Sequence, residues 1–233
     1  MRAEDTRREL QSMADPEKAR IMQRFFKTGP GQYGEGDVFI GVMVPDSRLA
    51  AKKFGELPLG EVKALLDSGV HEERLVALLI LVQKYVRAFD KEKEEIVKFY
   101  LGNIKQVNNW DLVDLSAPGI LGAHLMDRDR RLLHRLAKSD SVWERRIAIV
   151  ATLHFIKNYD FADTLRIAEA LLRDSHDLIH KATGWMLREV GKRDRAAEEA
   201  FVARHCRSMP RTMLRYAIER FPEGKKRRYM MKS

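Results

Sequence analysis

An internal repeat restricts the fold of this 233-residue chain more than any other feature. When LLDSGVHEERLVALL, IKQVNNWDLVDLS, LAKSDSVWERRIAIV, LRDSHDLIHKATGWM and RSMPRTMLRYAIERF are aligned, Ala77, Asp114, Ala148, Ala182 and Ala217 superpose, at spacings of 37, 34, 34 and 35 residues. Each unit reads as a helix, a short polar turn and a second helix. Such a pair cannot bury its apolar face alone, so successive pairs must stack. The expectation is an all-α solenoid of HEAT-like helical repeats, with the second helices lining a concave basic groove.

Composition permits this fold. Hydrophobic residues make up 45% of the chain, enough to bury a core, and several of the 14 Gly and 7 Pro cluster between Thr28 and Pro58, leaving most of the remainder to helix. Cys206 is the single cysteine, which excludes an intramolecular disulfide framework and a cysteine-rich zinc site and suggests a reducing compartment. The longest aliphatic run, Leu75 to Val82, falls far short of the roughly 20 residues of a membrane-spanning helix. The N-terminal MRAEDTRREL lacks the apolar stretch of a signal peptide, so a cytoplasmic protein is expected, with no membrane partner. With 43 Lys and Arg against 34 Asp and Glu, a net charge of +9 favours polyanionic partners such as nucleic acid.

Within a single domain spanning 1–233, N-terminal helices and a loop are expected from Asp15 to Pro58, the repeats from Leu57 to Phe221, and a mobile basic tail from Pro222 to Ser233. Asp15-Pro16 reads as an N-cap followed by proline in the first turn of a helix that carries Ile21, Met22, Phe25 and Phe26 and ends near Lys27. Thr28 to Asp37 is a loop. The apolar run Val38 to Val44 reads as a strand or a helix start, halted in either case by Pro45. The loop formally matches GxGxxG from Gly29 to Gly34, but it follows a helix and contains Pro30, which argues against a dinucleotide fold. Tyr33 in that loop carries at most a weak signal for a DNA contact.

The repeat locates an anomaly. Four anchors are Ala, a residue small enough for neighbouring helices to approach closely, whereas the second is Asp114. Trp110, four residues earlier, shares its helical face. Trp143 and Arg146 lie three apart in the next unit, and Lys181, Trp185 and Arg188 occupy one face of the unit after. Trp143, at a helix start, is expected in the core. A stripe containing Arg145, Arg146, Lys181, Arg188, Lys192, Arg193, Arg211, Arg215 and the run Lys225 to Arg228 would neutralise phosphates without reading sequence. A carboxylate within such a stripe repels the ligand, so its presence calls for a chemical role. Glu72, Glu73 and Asp111 are further acids, with Asp111 expected to cap or to pair with a basic neighbour. The 7 His are scattered without an HExxH, so no metal site is expected.

NNWDLVD (Asn108 to Asp114), VWERRIAIV (Val142 to Val150) and IHKATGWMLREVGKRD (Ile179 to Asp194), with FFKTGPGQYGEGDVFIGV and MPRTMLRYAIE, resemble the bacterial DNA alkylation repair family of helical-repeat alkylpurine DNA glycosylases. The resemblance covers nearly the whole chain. It implies a monomer that clasps duplex DNA containing alkylated bases and removes cationic bases such as 7-methylguanine and 3-methyladenine, without a cofactor. It places the catalytic carboxylate on Asp114, lesion-facing aromatics on Trp110 and Trp185, a DNA-contacting arginine on Arg146 and a backbone contact on Arg188. Lys181, Arg145 and Arg211 remain further DNA-binding candidates from the basic stripe. The chain departs from its relatives at Met43 and Val44, before Pro45, where they carry polar residues, which bears on how the strand near the lesion is gripped. A non-catalytic DNA-binding repeat protein and a protein-interaction scaffold are the alternative readings of the same basic surface.

Overall fold

The computed structural model describes residues 1–232. Its contacts group into two compact units, Met1–Ser116 and Ala117–Ser233. Both are built from helices, and among the described residues β-pairing is confined to an isolated parallel bridge between Val38 and Val70.

The first unit contains α1 (Ala3–Ser12), α2 (Pro16–Phe25), α3 (Val44–Lys53), α4 (Leu59–Leu66), α5 (His71–Arg87), α6 (Asp90–Gly102) and α7 (Trp110–Ser116). The start of α2 is the expected one, with the Asp15 carboxylate accepting from the N–H groups of Glu17 and Lys18 at 3.0 and 3.1 Å. It stops before Lys27, whose left-handed φ of 54° ends the helical path. The run Val38 to Val44 is neither a full strand nor halted by proline. Val38 makes the bridge, and Pro45 lies in the first turn of α3, where a missing N–H breaks no helical bond, so it opens a helix instead of stopping one. Helix α5 is apolar around its middle, from Leu75 to Leu81, and is buried there accordingly, with α1, α3, α4, α6 and α7 packed about it.

The second unit opens with a π-helical turn, Pro118–Gly122, followed by α8 (Ala123–Leu125), α9 (Arg131–Leu136), α10 (Val142–Ala151), α11 (Leu153–Lys157), α12 (Ala162–Ala170), α13 (Asp177–Gly191), α14 (Arg195–His205), α15 (Arg211–Ala217) and α16 (Glu223–Lys232). Helix α13 is its centre, packed by α10, α12, α14 and α15. The basic run Lys225 to Arg228 is not a mobile tail but part of α16. Tyr229 is buried edge-on to Phe221 at 5.8 Å, and Lys225 pairs with Glu199 on α14 at 2.7 Å, so an apolar anchor and an ion pair hold the segment down. Ser233, the end of the expected tail, lies outside the described residues. Trp143 is half-buried at the start of α10, outside the core where the sequence puts it.

The aligned positions fall in α5, α7, α10, α13 and α15, the second helices of successive pairs. Ala77, Ala148, Ala182 and Ala217 are buried, whereas Asp114 is half-buried. The small residues allow close helix approach, and at Gly184 the approach is closer still. A Cβ there would lie 2.4 Å from the carbonyl oxygen of Met213 and 2.5 Å from Cβ of Tyr216 on α15. Gly184→Ala is therefore expected to destabilise the protein by about 1–3 kcal/mol through overpacking. Gly60→Ala, within α4 where no atom lies near the added methyl, should stabilise by up to about 1 kcal/mol. Opposite shifts of the urea midpoint check the pair.

Candidate active site

Helix α7 is a seven-residue α-helix whose backbone stays helical through Ala117 into the π-helical turn at Pro118, and a stretch this short and irregular does not hold its own geometry in water. Tertiary contacts fix it instead. Leu112 and Val113 are fully buried, and Ser116 at its end accepts a hydrogen bond from the Tyr100 hydroxyl of α6 at 3.0 Å while donating to the Leu112 carbonyl at 2.6 Å. Burial pushes the Tyr100 phenol up, which keeps it a neutral donor.

The other end of α7 is held by charge. Asn109, fully buried, accepts the Trp110 N–H at 2.8 Å and donates its amide to the Asp37 carboxylate at 3.0 Å. Asp111 accepts the Leu112 N–H at 2.8 Å with one oxygen, and its other oxygen lies 2.8 Å from Nε2 of His71. Nδ1 of His71 lies 3.0 Å from Asp37, whose second oxygen accepts from Arg74 at 2.5 Å. An imidazole that meets carboxylate oxygens at both nitrogens must donate from both, which only the imidazolium can do. Burial by itself would lower the His71 pKa, but Asp111 and Asp37 reverse that and push it up to about 8. Burial likewise opposes ionisation of Asp37, yet His71, Arg74 and Asn109 hold its carboxyl below the usual range. The adjacent Glu72 is fully buried and accepts from the N–H groups of Ile40, Gly41 and Val42, the closest at 2.8 Å from Gly41, whose φ of 87° suits glycine. Glu73 pairs with Arg7 at 2.9 Å. Neither glutamate forms a carboxylate pair for acid–base work.

Above this network the aromatic rings stack. Phe39 lies on His71 at 4.4 Å, Phe26 on Phe39 at 4.8 Å, and Trp110 on Phe26 at 5.0 Å with the planes 6° apart. Phe25 meets Trp110 edge-on at 6.0 Å and is itself 64% exposed. The plane of the indole is thus fixed by two rings while the side chain stays half-exposed. Asp114, one turn on, is half-buried on the same edge of α7, away from the face formed by Leu112, Val113 and Ser116. Trp110 and Asp114, four residues apart, are both half-buried on this edge of α7. Asp111 pairs with a basic neighbour, as expected.

In the second unit the predicted basic residues are drawn into local interactions. Arg145 pairs with Asp174 at 2.6 Å and donates to the carbonyls of Ser139 and Asp140. Arg146, expected to contact DNA, is buried. It is 5% exposed and donates to the Leu178 carbonyl at 2.7 Å, because the first turn of α13 packs directly against α10. Trp185 is half-buried, with its indole N–H donating to Glu189 at 3.2 Å. Lys181 pairs with Asp177 at 2.7 Å, Arg188 with Glu219, and Lys192 and Arg193 with Glu189. Arg211 is exposed and donates to the Met230 carbonyl at 2.6 Å, and Arg215 is exposed. Tyr33 is half-buried, with Lys27 over its ring at 5.9 Å. No group of three or more His, Cys, Asp or Glu among the described residues could hold a metal ion.

Residues 6–221 match the family described as DNA alkylation repair enzyme. The chain belongs to that family. A predicted DNA alkylation repair enzyme from Enterococcus faecalis has the same fold, with a TM-score of 0.69 and 18% identity over 91% of this chain and 98% of that one. No curated protein matches. Membership makes the chain a DNA alkylation repair enzyme, and no described helix is long and apolar enough to cross a membrane. Sequence reasoning about this repair enzyme missed the groups that hold Trp110, namely Phe25, Phe26, Asp37, His71 and Asn109. The Phe25-Phe26 doublet beside a glycine-rich loop and the polar flanks of Trp110 were the signals available.

Since the His71 pKa is raised above its unfolded value of about 6.5, its stabilisation is fully present below pH 6.5 and is lost as pH rises through about 8. Glu198, buried in α14 and pushed up to about 8, also weakens the fold as pH rises from its ordinary range, so the two must be separated. In a Glu198→Gln background, the unfolding free energy from urea titrations should fall between pH 6.5 and 8.5 by an amount on the order of 2 kcal/mol. His71→Gln should remove that dependence.

Proposed function

We propose that this repair enzyme is a monofunctional DNA glycosylase that hydrolyses the N-glycosidic bond of cationic alkylated purines, of the 7-methylguanine and 3-methyladenine type, in duplex DNA. The observation that carries the reading is Asp114 beside Trp110 on one edge of a helix pinned at both ends. A purine alkylated at N7 or N3 already bears positive charge, so it leaves as a neutral base and needs no general acid. As the C1′–N9 bond breaks, its electron pair goes to the purine ring, and positive charge develops on the sugar. The Asp114 carboxylate stabilises that oxocarbenium-like sugar and orients the water whose oxygen bonds to C1′ and whose proton passes to solvent. The Trp110 face offers its π electrons to the same developing cation. A rigid carrier matters because the stabilising group must stand in place before charge develops.

In the second unit, Trp185 and Arg188 are assigned to contacts with the DNA, together with Lys181, Arg145 and Arg211. The ion pairs of Arg188 with Glu219 and of Lys181 with Asp177 exchange for phosphate contacts on binding, while Arg145 keeps its pair with the buried Asp174. The enzyme is taken to act as a monomer. Asp114→Asn should reduce release of 7-methylguanine from methylated duplex by roughly a hundredfold or more while leaving duplex binding intact, as read by mass spectrometry of the liberated bases and a binding titration. An unchanged release rate would favour a silent DNA-binding protein, and a borohydride-trapped adduct would refute the monofunctional mechanism. Arg188→Ala should weaken binding evenly across sequences and lower the slope of log affinity against log salt by about one.

A further inference from the structure

We propose that His71 is a positioning residue for the repair site, holding Asp111 directly and Asn109 through Asp37, the two side chains that flank Trp110, and so fixing where the indole and the Asp114 carboxylate stand. The proposal rests on the glycosylase reading for its effect on catalysis, but the positioning of Trp110 can be read without it.

The geometry is specific. Asn109 and Asp111 are the immediate neighbours of Trp110, and each uses one oxygen on an N–H of α7 and its remaining polar atom on the buried network. Asp37 joins Asn109 to His71, and His71 joins Asp37 to Asp111, a chain of hydrogen bonds whose two ends are tied by the backbone at the start of the helix. A second route runs through the rings, from His71 by way of Phe39 and Phe26 to the face of Trp110. His71 is the one residue on both routes.

Its charge state sets the first. The groups facing it are Asp37 from the loop before Val38 and Asp111 from α7. On its own helix, Arg74 lies on the far oxygen of Asp37, and Glu72 is turned onto the amides of Ile40 to Val42. Phe26, just past the end of α2, places its ring against the imidazole. Asp37, Asp111, His71 and Arg74 together are neutral while the imidazole is protonated. Deprotonation leaves a net negative charge in the interior and turns a lone pair toward a carboxylate, so one of the two His71 contacts must break. The released end of α7 then carries Trp110 and Asp114 with it.

The first measurement is fluorine NMR of 5-fluorotryptophan-labelled protein, with the Trp110 resonance assigned by its loss in Trp110→Phe. In the wild type that resonance should shift with pH at a midpoint near 8, and His71→Gln should abolish the transition. The second is single-turnover release of 7-methylguanine. His71→Gln should slow it by roughly tenfold to a hundredfold with duplex affinity nearly unchanged, and should flatten its decline at alkaline pH. The double variant His71→Gln/Asp111→Asn, in which two neutral amides can pair where a charge pair stood, should recover much of the rate. A Trp110 resonance indifferent to pH from 6 to 9 overturns the proposal, and so does a His71→Gln rate equal to the wild-type rate. If the wild type releases no base but the resonance still titrates through His71, the glycosylase reading fails and the positioning role stands. The wild-type titration needs no His71 variant, so a poorly folding substitution does not block the test.

Discussion

The contact on which the first unit turns is an imidazolium held between two carboxylates. His71 is 1% exposed, and Asp37 and Asp111 are nearly as buried. Three such charges could not be kept from water without a fourth, and Arg74 supplies it on the outer oxygen of Asp37. The neutral quartet tolerates burial because each carboxylate oxygen meets a donor and both imidazole nitrogens meet acceptors. Breaking any member strands a charge, which makes the arrangement rigid as well as tolerable.

That rigidity is passed to a helix too short to stand by itself. Trp110 and Asp114 sit one turn apart on α7, whose other face is buried under Leu112, Val113 and the Tyr100–Ser116 hydrogen bond. Electrostatic stabilisation of a developing cation depends on a carboxylate already in place, since moving it during the reaction would consume the gain. A half-buried acid on a helix clamped at both ends meets that requirement. The stack from His71 through Phe39 and Phe26 to Trp110 gives the indole a fixed plane while leaving its side chain half-exposed. The second unit uses its charges differently. Arg145 and Arg146 serve the packing of α10 against the loop and helix that follow, and Arg188, Lys181 and Lys192 lie in salt bridges on more open ground, where exchange for a phosphate costs little.

Several elements were legible in the chain itself. The repeat spacing marked the second helices, and the buried Ala77, Ala148, Ala182 and Ala217 fall on them because only a small side chain admits the neighbouring helix. Asp15-Pro16 announced the start of α2, since a side-chain cap and a fixed φ act within one turn. Other readings failed where tertiary contact overrode local pattern. Pro45 looked like a stop and is a start. The basic run from Lys225 looked like a tail and is a helix, because Tyr229 finds an apolar partner in Phe221. Arg146 looked like one more base of the open stripe and is interior, its guanidinium donating to the Leu178 carbonyl, 32 residues away.

The order of residues by itself determined the paired helices, the family, and the oddity of an acid at position 114 where alanine is the rule. These depend on periods of a few residues or on the repeat, which a linear chain displays. Only the tertiary structure decided which charges meet. His71 is separated from Asp37 by 34 residues and from Asp111 by 40, and nothing in the spacing of those residues announces a shared proton. Burial makes that proton matter, because removing water is what turns an ordinary histidine into the fixed positive centre of a helix end.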